Sequence, residues 1–153
     1  MDMNTIISTS MISLIFLIGI VGLIFTLKNS KSLKKVLTNK KRLGEFKNLN
    51  LRDTEFMKMS YWTGNMVIYE NYIHIEKTGY FHLIVKDKKS SIRKKAMTIS
   101  FQKCSLDKKD NIIIKGTKHR VFGNSTIEVK ISSKNTKDLY RINDLINNLN
   151  YIK

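Results

Sequence analysis

The chain has no proline, a single cysteine, and no lysine or arginine before residue 28. The lone Cys104 rules out an intramolecular disulfide and a four-cysteine metal site, and it fits a reducing compartment. As a nucleophile it would want a nearby histidine and a lowered pKa, and nothing in the sequence points to either. The missing proline accompanies a crowding of Ile, Asn and Lys, which a biased source genome produces as readily as selection does. Enzyme motifs are absent too: no nucleotide-binding glycine loop, no nucleophile signature, no close carboxylate pair in an apolar setting. Glu70 and Glu76 come nearest to such a pair, and positions on the wet face of a sheet explain them. The expectation is a non-catalytic protein with no cofactor and no metal.

The missing positive charge near the N-terminus is the most informative of these absences. All 28 Lys and Arg residues follow an uncharged apolar run from Ile6 to Leu27, whose core from Met11 reads MISLIFLIGIVGLIFTL. As a helix this run spans about 33 Å, close to the hydrocarbon thickness of a bilayer. A cleavable secretory signal would need a basic n-region, a shorter apolar core and small residues at a cleavage site. Here the n-region carries Asp2 and no base, the run is long, and it passes straight into KNSKSLKKVLTNKKR. Residues 1–5 are therefore read as a short tail and 6–27 as a transmembrane helix. Gly19 and Gly22 are three apart rather than four, and glycine is common in membrane helices, so they mark no dimerisation face.

Orientation follows from the bases nearest the two ends of the span. Lys28, Lys31, Lys34, Lys35, Lys40, Lys41 and Arg42 lie on the C-terminal side, with no acid among them and no base on the other side. This predicts an N-terminus outside the cell membrane and a C-terminal domain in the cytoplasm, with these seven residues at the lipid headgroups.

Beyond the span lies one domain's worth of chain. Asp2 is the only one of the 12 acids before Lys28, so this part is more basic than the whole chain's formal +16 and should attract something anionic. Ser32–Lys41 places Leu33, Val36 and Leu37 at helical spacing with lysines opposite, which suits a short amphipathic extension ended by Gly44. The weakly patterned residues 45–58, with Phe46, Leu49 and Leu51 as docking points, read as a linker. Residues 28–60 thus form a basic juxtamembrane segment, and 61–153 the folded domain.

Within that domain the period changes to two. Strands are expected at 66–69, 72–76, 80–86, 95–103, 111–115, 118–122 and 126–132, separated by Glu70-Asn71, Gly79, a charged loop, Asp107–Asp110, Gly116-Thr117 and Gly123-Asn124. Met97, Ile99 and Phe101 alternate with Thr98, Ser100 and Gln102, as in a strand with one wet face. Leu139, Ile142, Ile146, Leu149 and Ile152 then recur at three and four residues, predicting a closing helix over 136–150 with N-cap candidates in 133–136. The fold class expected is mainly β: seven short antiparallel strands in a barrel or sandwich, closed by the helix.

Seven strands followed by one amphipathic helix resemble the pleckstrin-homology-like domains, including bacterial members tethered to membranes. The resemblance covers 61–153 and rests on element order and on GNMVIYENYIHIEKTG, residues 64–79, which is similar to a first hairpin of such domains. The family's inositol-lipid signature places several bases on the first two strands and their loop, where this chain has Tyr69-Glu70-Asn71-Tyr72. The resemblance therefore implies a binding or scaffolding module and no activity.

The candidate site is the cluster Lys86, Lys88, Lys89, Arg93, Lys94 and Lys95, expected on a loop projecting from one end of the barrel, where it could meet phosphates. His74 and His82 would sit directly opposite each other if residues 77–79 formed a three-residue loop, with no third ligand to complete a metal site. His119, between Lys118 and Arg120, has no partner visible in the sequence. The leading expectation is binding to an anionic membrane surface or a protein partner. The runner-up is a subunit of a larger membrane complex whose basic face meets an acidic protein. Nucleic acid, for which Tyr61, Trp62, Tyr69, Tyr72, Tyr80 and Phe81 offer stacking surfaces, ranks below both because no nucleic-acid motif accompanies them. A reporter fused after residue 153 should be active in the cytoplasm and protected from external protease; activity on the outer side would reverse the assigned orientation.

Overall fold

The computed structural model describes residues 3–54, 62–77, 80–94, 97–120 and 123–148. It divides into two compact units, Met1–Thr38 and Asn39–Lys153. The first is a single helix, α1 (Met3–Leu37), which absorbs most of the expected amphipathic extension and ends before Gly44. Its segment Ser10–Leu37 is long and apolar enough to cross a membrane. The large apolar side chains from Met11 to Leu27 are exposed, from 49% at Ile20 to 72% at Phe16. A helix apolar on every side is stable where its surroundings are apolar too.

The second unit contains β1 (Arg42–Asp53), β2 (Trp62–Tyr69), β3 (Tyr72–Lys77), β4 (Tyr80–Val85), β5 (Thr98–Leu106), β6 (Ile112–Arg120), β7 (Gly123–Ser132) and α2 (Thr136–Asn148). The strands close into a barrel in sequence order, with β7 returning to β1 through pairs from Asn50↔Ser132 to Asp53↔Val129. The count of seven matches expectation, but its composition differs.

The expected linker is in fact β1, so the barrel begins near residue 42 rather than 61. Its alternation is broken because Phe46 pairs with Met66 and Leu49 with Gly64, leaving Lys47 and Asn48 opposite Asn65 alone. Such a bulge turns two residues against one and lets Phe46 and Leu49, three apart, both face the core. Asn48 takes the left-handed conformation (φ 55°) and donates its N–H to Asn65 Oδ1 at 3.2 Å.

Conversely, the expected strands 111–115 and 118–122 are one strand, β6, as far as Arg120; residues 121–122 lie outside the described residues. Gly116, taken as a turn signal, sits in the strand interior opposite Phe101 and Ile127. A Cβ there would lie 2.4 Å from Ile99 Cγ2 and 2.6 Å from the Ser100 carbonyl oxygen. Glycine marks a close backbone approach at this position.

The sheet is mixed rather than wholly antiparallel. β4 and β5 run parallel over Leu83↔Thr98, Ile84↔Ile99 and Val85↔Ser100. Parallel neighbours cannot be joined by a tight hairpin, so the chain must cross back before β5 begins. Among its described residues the crossing segment holds one 3₁₀ turn, Ser91–Lys94. Thr98 and Ser100, expected on a wet face, are buried, and both hydroxyls donate to the Arg93 carbonyl oxygen at 3.0 and 3.4 Å.

The core joins the inward residues of the barrel, among them Leu51, Met66, Ile68, Ile73, Ile75, Ile84, Ile112, Ile114 and Ile131, to Leu139, Ile142 and Ile146 of α2. Burying each of those three helix side chains is worth about 1.5–3 kcal/mol before ordering costs. Asn135 caps the helix through Oδ1, which accepts from Lys137 N–H at 3.2 Å, and Asp138 occupies the first turn. Described residues of α2 end at Asn148; Leu149 and Ile152 of the expected stripe lie beyond them. Between β5 and β6, Asp107 Oδ1 accepts from the N–H groups of Lys109 and Asn111 at 2.8 and 2.9 Å, and its Oδ2 meets Lys130 Nζ at 2.6 Å. The Lys130 ammonium, aided by these backbone donors, holds the Asp107 carboxyl well below the usual carboxylate range.

Replacing Gly116→Ala should destabilise the barrel by about 1–3 kcal/mol, because Ser100's backbone must shift to admit the methyl group. Thermal denaturation against Thr126→Ala, at an exposed position on the neighbouring strand, measures it; equal melting temperatures would contradict the close approach.

Candidate functional site

The crossing segment lies over the outer face of β5 and β6 instead of projecting from the barrel end. The register brings Ser100 beside Thr117 and His119 beside Asn124, so the outward side chains of three successive strands share one face. Between this face and the segment lies a cleft of about 630 Å³, lined by Lys88, Lys89, Ser90, Ser91, Arg93, Ser100, Gln102, Thr117, His119 and Asn124. None of these described lining residues carries a carboxylate. A cleft with one sign of charge and partly apolar walls focuses its field on whatever enters.

The segment's shape is set by its one acid. Asp87 Oδ1 accepts from Lys89 N–H at 2.8 Å, and the Asp87 carbonyl oxygen accepts from Ser90 N–H at 3.3 Å. This turn chemistry directs the Asp87 carboxylate to the backbone. Arg93 Nη1 donates to the Lys88 carbonyl oxygen at 3.0 Å, which ties the guanidinium to the turn. Arg93 Nε is buried and has no hydrogen-bond partner among the described residues. On the floor of the cleft Gln102 Nε2 donates to Thr117 Oγ1 at 2.8 Å. His119 Nδ1 lies 2.6 Å from Asn124 Oδ1, a cross-strand partner that the sequence alone did not reveal.

Of the six bases expected together, Lys88, Lys89 and Arg93 line this cleft. Lys86 does not. Its Nζ reaches the opposite way, donating to the Ile146 carbonyl oxygen at 2.5 Å and lying 5.6 Å from the centre of the Phe101 ring. Ile146 is in the last described turn of α2, where a cation suits the helix dipole. The last turn of α2 has no base of its own, and Lys86 supplies one from the end of β4. Burial lowers the Lys86 pKa from 10.5 to about 8, partly opposed by the charge of Cys104. The side chain of Lys94 and all of Lys95 lie outside the described residues. The juxtamembrane residues Lys28, Lys31, Lys34 and Lys35 are exposed on α1; Lys40 and Lys41 are exposed between α1 and β1, and Arg42 lies 3.4 Å from Glu45.

The two histidines do not face each other. The register sets His74 opposite Leu83 and His82 opposite Ile75, which sends the imidazoles to opposite faces of the β3–β4 pair. Lys77 pairs with Tyr80 in place of the expected Glu76, and that one-residue shift of register reverses one side chain; the expected loop at 78–79 lies outside the described residues. Outside, His74 Nε2 lies 3.5 Å from Glu76; inside, His82 Nε2 lies 4.0 Å from the buried Asp53. Among the described residues no group of three or more His, Cys, Asp or Glu side chains gathers to hold a metal ion.

Cys104 lies on β5 with Sγ 3.7 Å from Asn143 Oδ1 of α2. Burial pushes the thiol up from 9.0 to about 11, against the pull of Lys86. That is opposite to the direction an activated nucleophile requires.

No family model matches the chain, and no curated protein and no solved structure matches it either.

At pH 8 a thiol titrating near 11 exposes about 100-fold less thiolate than one titrating at 9.0. Alkylation of Cys104 in the folded chain should therefore run about 100-fold slower than in denaturant at that pH. Comparable rates would show that Sγ is not buried against α2.

Proposed function

We propose that the protein is a single-pass membrane protein whose basic barrel binds anionic groups at the cytoplasmic surface of the cell membrane, without catalysis. The observation that carries this reading is the cleft lined by Lys88, Lys89 and Arg93 with no carboxylate among its described lining residues. It stands on a domain joined through residues 38–41 to a helix that exposes its large apolar side chains from Met11 to Leu27. Anionic lipids attract bases near a membrane surface by about 1 kcal/mol each, and the effect decays within a Debye length. The exposed bases from Lys28 to Arg42 set topology by the excess of positive charge on the cytoplasmic side. They add to the surface attraction without discriminating among ligands.

A seven-strand barrel with one C-terminal helix supports the pleckstrin-homology-like reading, and with it a binding module rather than an enzyme. The surface offered here differs from the loop between the first two strands of the resemblance, since the cationic side chains lie beside β5 and β6.

Trp62 is the only tryptophan and sits at the start of β2. With the full chain in nanodiscs, energy transfer from Trp62 to a dansyl-headgroup lipid should be greater in phosphatidylglycerol than in phosphatidylcholine, and the difference should fall as salt rises from 50 to 500 mM, a range roughly spanning Debye lengths from 14 to 4 Å. Equal transfer in the two lipids at low salt would defeat the reading.

A further inference from the structure

We propose that the cleft between the crossing segment and the outer face of β5–β7 binds a small polyol phosphate ester, with the phosphate held by Arg93, Lys88 and Lys89. This rests on the reading above that the domain meets anionic groups, and it names the group and the place. A solvated basic loop would stand away from the sheet and form no cleft. Here the loop is folded down on the sheet by the Thr98 and Ser100 hydroxyls, and its one carboxylate is turned to the Lys89 backbone.

Arg93 carries the assignment to phosphate. One arm of its guanidinium is fixed on the Lys88 carbonyl oxygen, so the plane is held in place before any ligand arrives. Its Nε–H is buried with no partner among the described residues, so the donors the guanidinium can offer an incoming phosphate are those of its terminal nitrogens beyond the one bond to Lys88. A planar guanidinium matches the oxygen spacing of phosphate, and the two lysines add point charge.

The polyol part follows from the rest of the lining. A cleft of about 630 Å³ is in the range of small-molecule pockets and far exceeds what a bare phosphate fills. Gln102 donates to Thr117, which leaves the Gln102 carbonyl oxygen as an acceptor and the Thr117 hydroxyl as a donor for ligand hydroxyl groups. No Phe, Tyr or Trp is among the described lining residues, and of the planar groups there the Arg93 guanidinium is tied to the Lys88 carbonyl oxygen and the His119 ring lies against Asn124, which favours hydroxyl groups over a nucleobase. The same chemistry is presented by a lipid headgroup such as that of phosphatidylglycerol and by a free ester such as glycerol 3-phosphate.

Calorimetric titration of the full chain in phosphatidylcholine nanodiscs with sn-glycerol 3-phosphate tests the site. Saturable binding is expected, weakened about tenfold or more by Arg93→Gln and by the pair Lys88→Gln/Lys89→Gln. The second variant matters because Arg93 also holds the turn, whereas Lys88 and Lys89 are exposed. The pair Lys134→Gln/Lys137→Gln, which removes the same charge from exposed positions near the start of α2, should leave binding unchanged. Absence of saturable binding, or equal weakening by the Lys134/Lys137 pair, overturns the proposal. Repeating the titration in phosphatidylglycerol nanodiscs identifies the source: loss of glycerol 3-phosphate binding means that the lipid headgroup occupies the cleft, and unchanged binding means that the ligand is the free ester. Lipid-dependent Trp62 energy transfer without glycerol 3-phosphate binding would overturn the cleft and leave the membrane reading intact. Glycerol 3-phosphate binding without lipid-dependent transfer would do the reverse.

Discussion

The parallel junction between β4 and β5 governs the basic face of this molecule. Six of the seven neighbour pairs in the barrel are antiparallel, and only Leu83–Val85 against Thr98–Ser100 runs the other way. A hairpin cannot make that connection, so the chain must return across a face of the sheet. The outer face of β5 and β6 receives it. Burial of Thr98 and Ser100, the fixed carbonyl of Arg93 and the cleft beneath Lys88 and Lys89 all follow from that return path. An antiparallel β4–β5 hairpin of the same sequence would leave six bases waving at a barrel end.

Closure of the barrel makes a second set of demands. β1 must pair with β2 along most of its length and with β7 only near its end, and the Asn48 bulge supplies the bend. The remaining opening is covered by α2, held at its start by Asn135 and at its end by Lys86. Lys86 thereby stands apart from the cleft and serves the core. One base in the loop is a structural clamp, and its neighbours two and three residues on line the cleft.

Strong periodic signals in the sequence were reliable guides to local structure. The apolar run from Ile6 to Leu27, the hairpin around Glu70-Asn71, the alternation through Ile127, Val129 and Ile131, and the stripe Leu139, Ile142, Ile146 all lie on elements of the expected type. Failures came where period or punctuation was locally overridden. The bulge at Asn48 shifted Phe46 and Leu49 out of alternation, so β1 looked like a linker. Gly116 looked like a turn because a glycine needed for close packing and a glycine needed for turning are the same letter. The histidine pairing depended on one residue of loop length, which sequence spacing leaves open. The cleft was half legible: Lys88, Lys89 and Arg93 stood out as charge, while Gln102, Thr117, His119 and Asn124 join them only through the register of β5–β7 and the crossing above it. Strand direction at β4–β5 was the missing information, and alternation of side chains does not encode it.

The central claim is that the face made by the crossing segment and β6, rather than the charge of the domain at large, meets anionic groups at the membrane. Amide hydrogen exchange of the full chain, compared between phosphatidylcholine and phosphatidylglycerol nanodiscs, reads that contact segment by segment. The account predicts added protection in Lys88–Arg93 and Thr117–Arg120 in the anionic discs, with α2 and β3 unchanged. Protection spread evenly over the basic segments of the domain, or confined to α2, would contradict it.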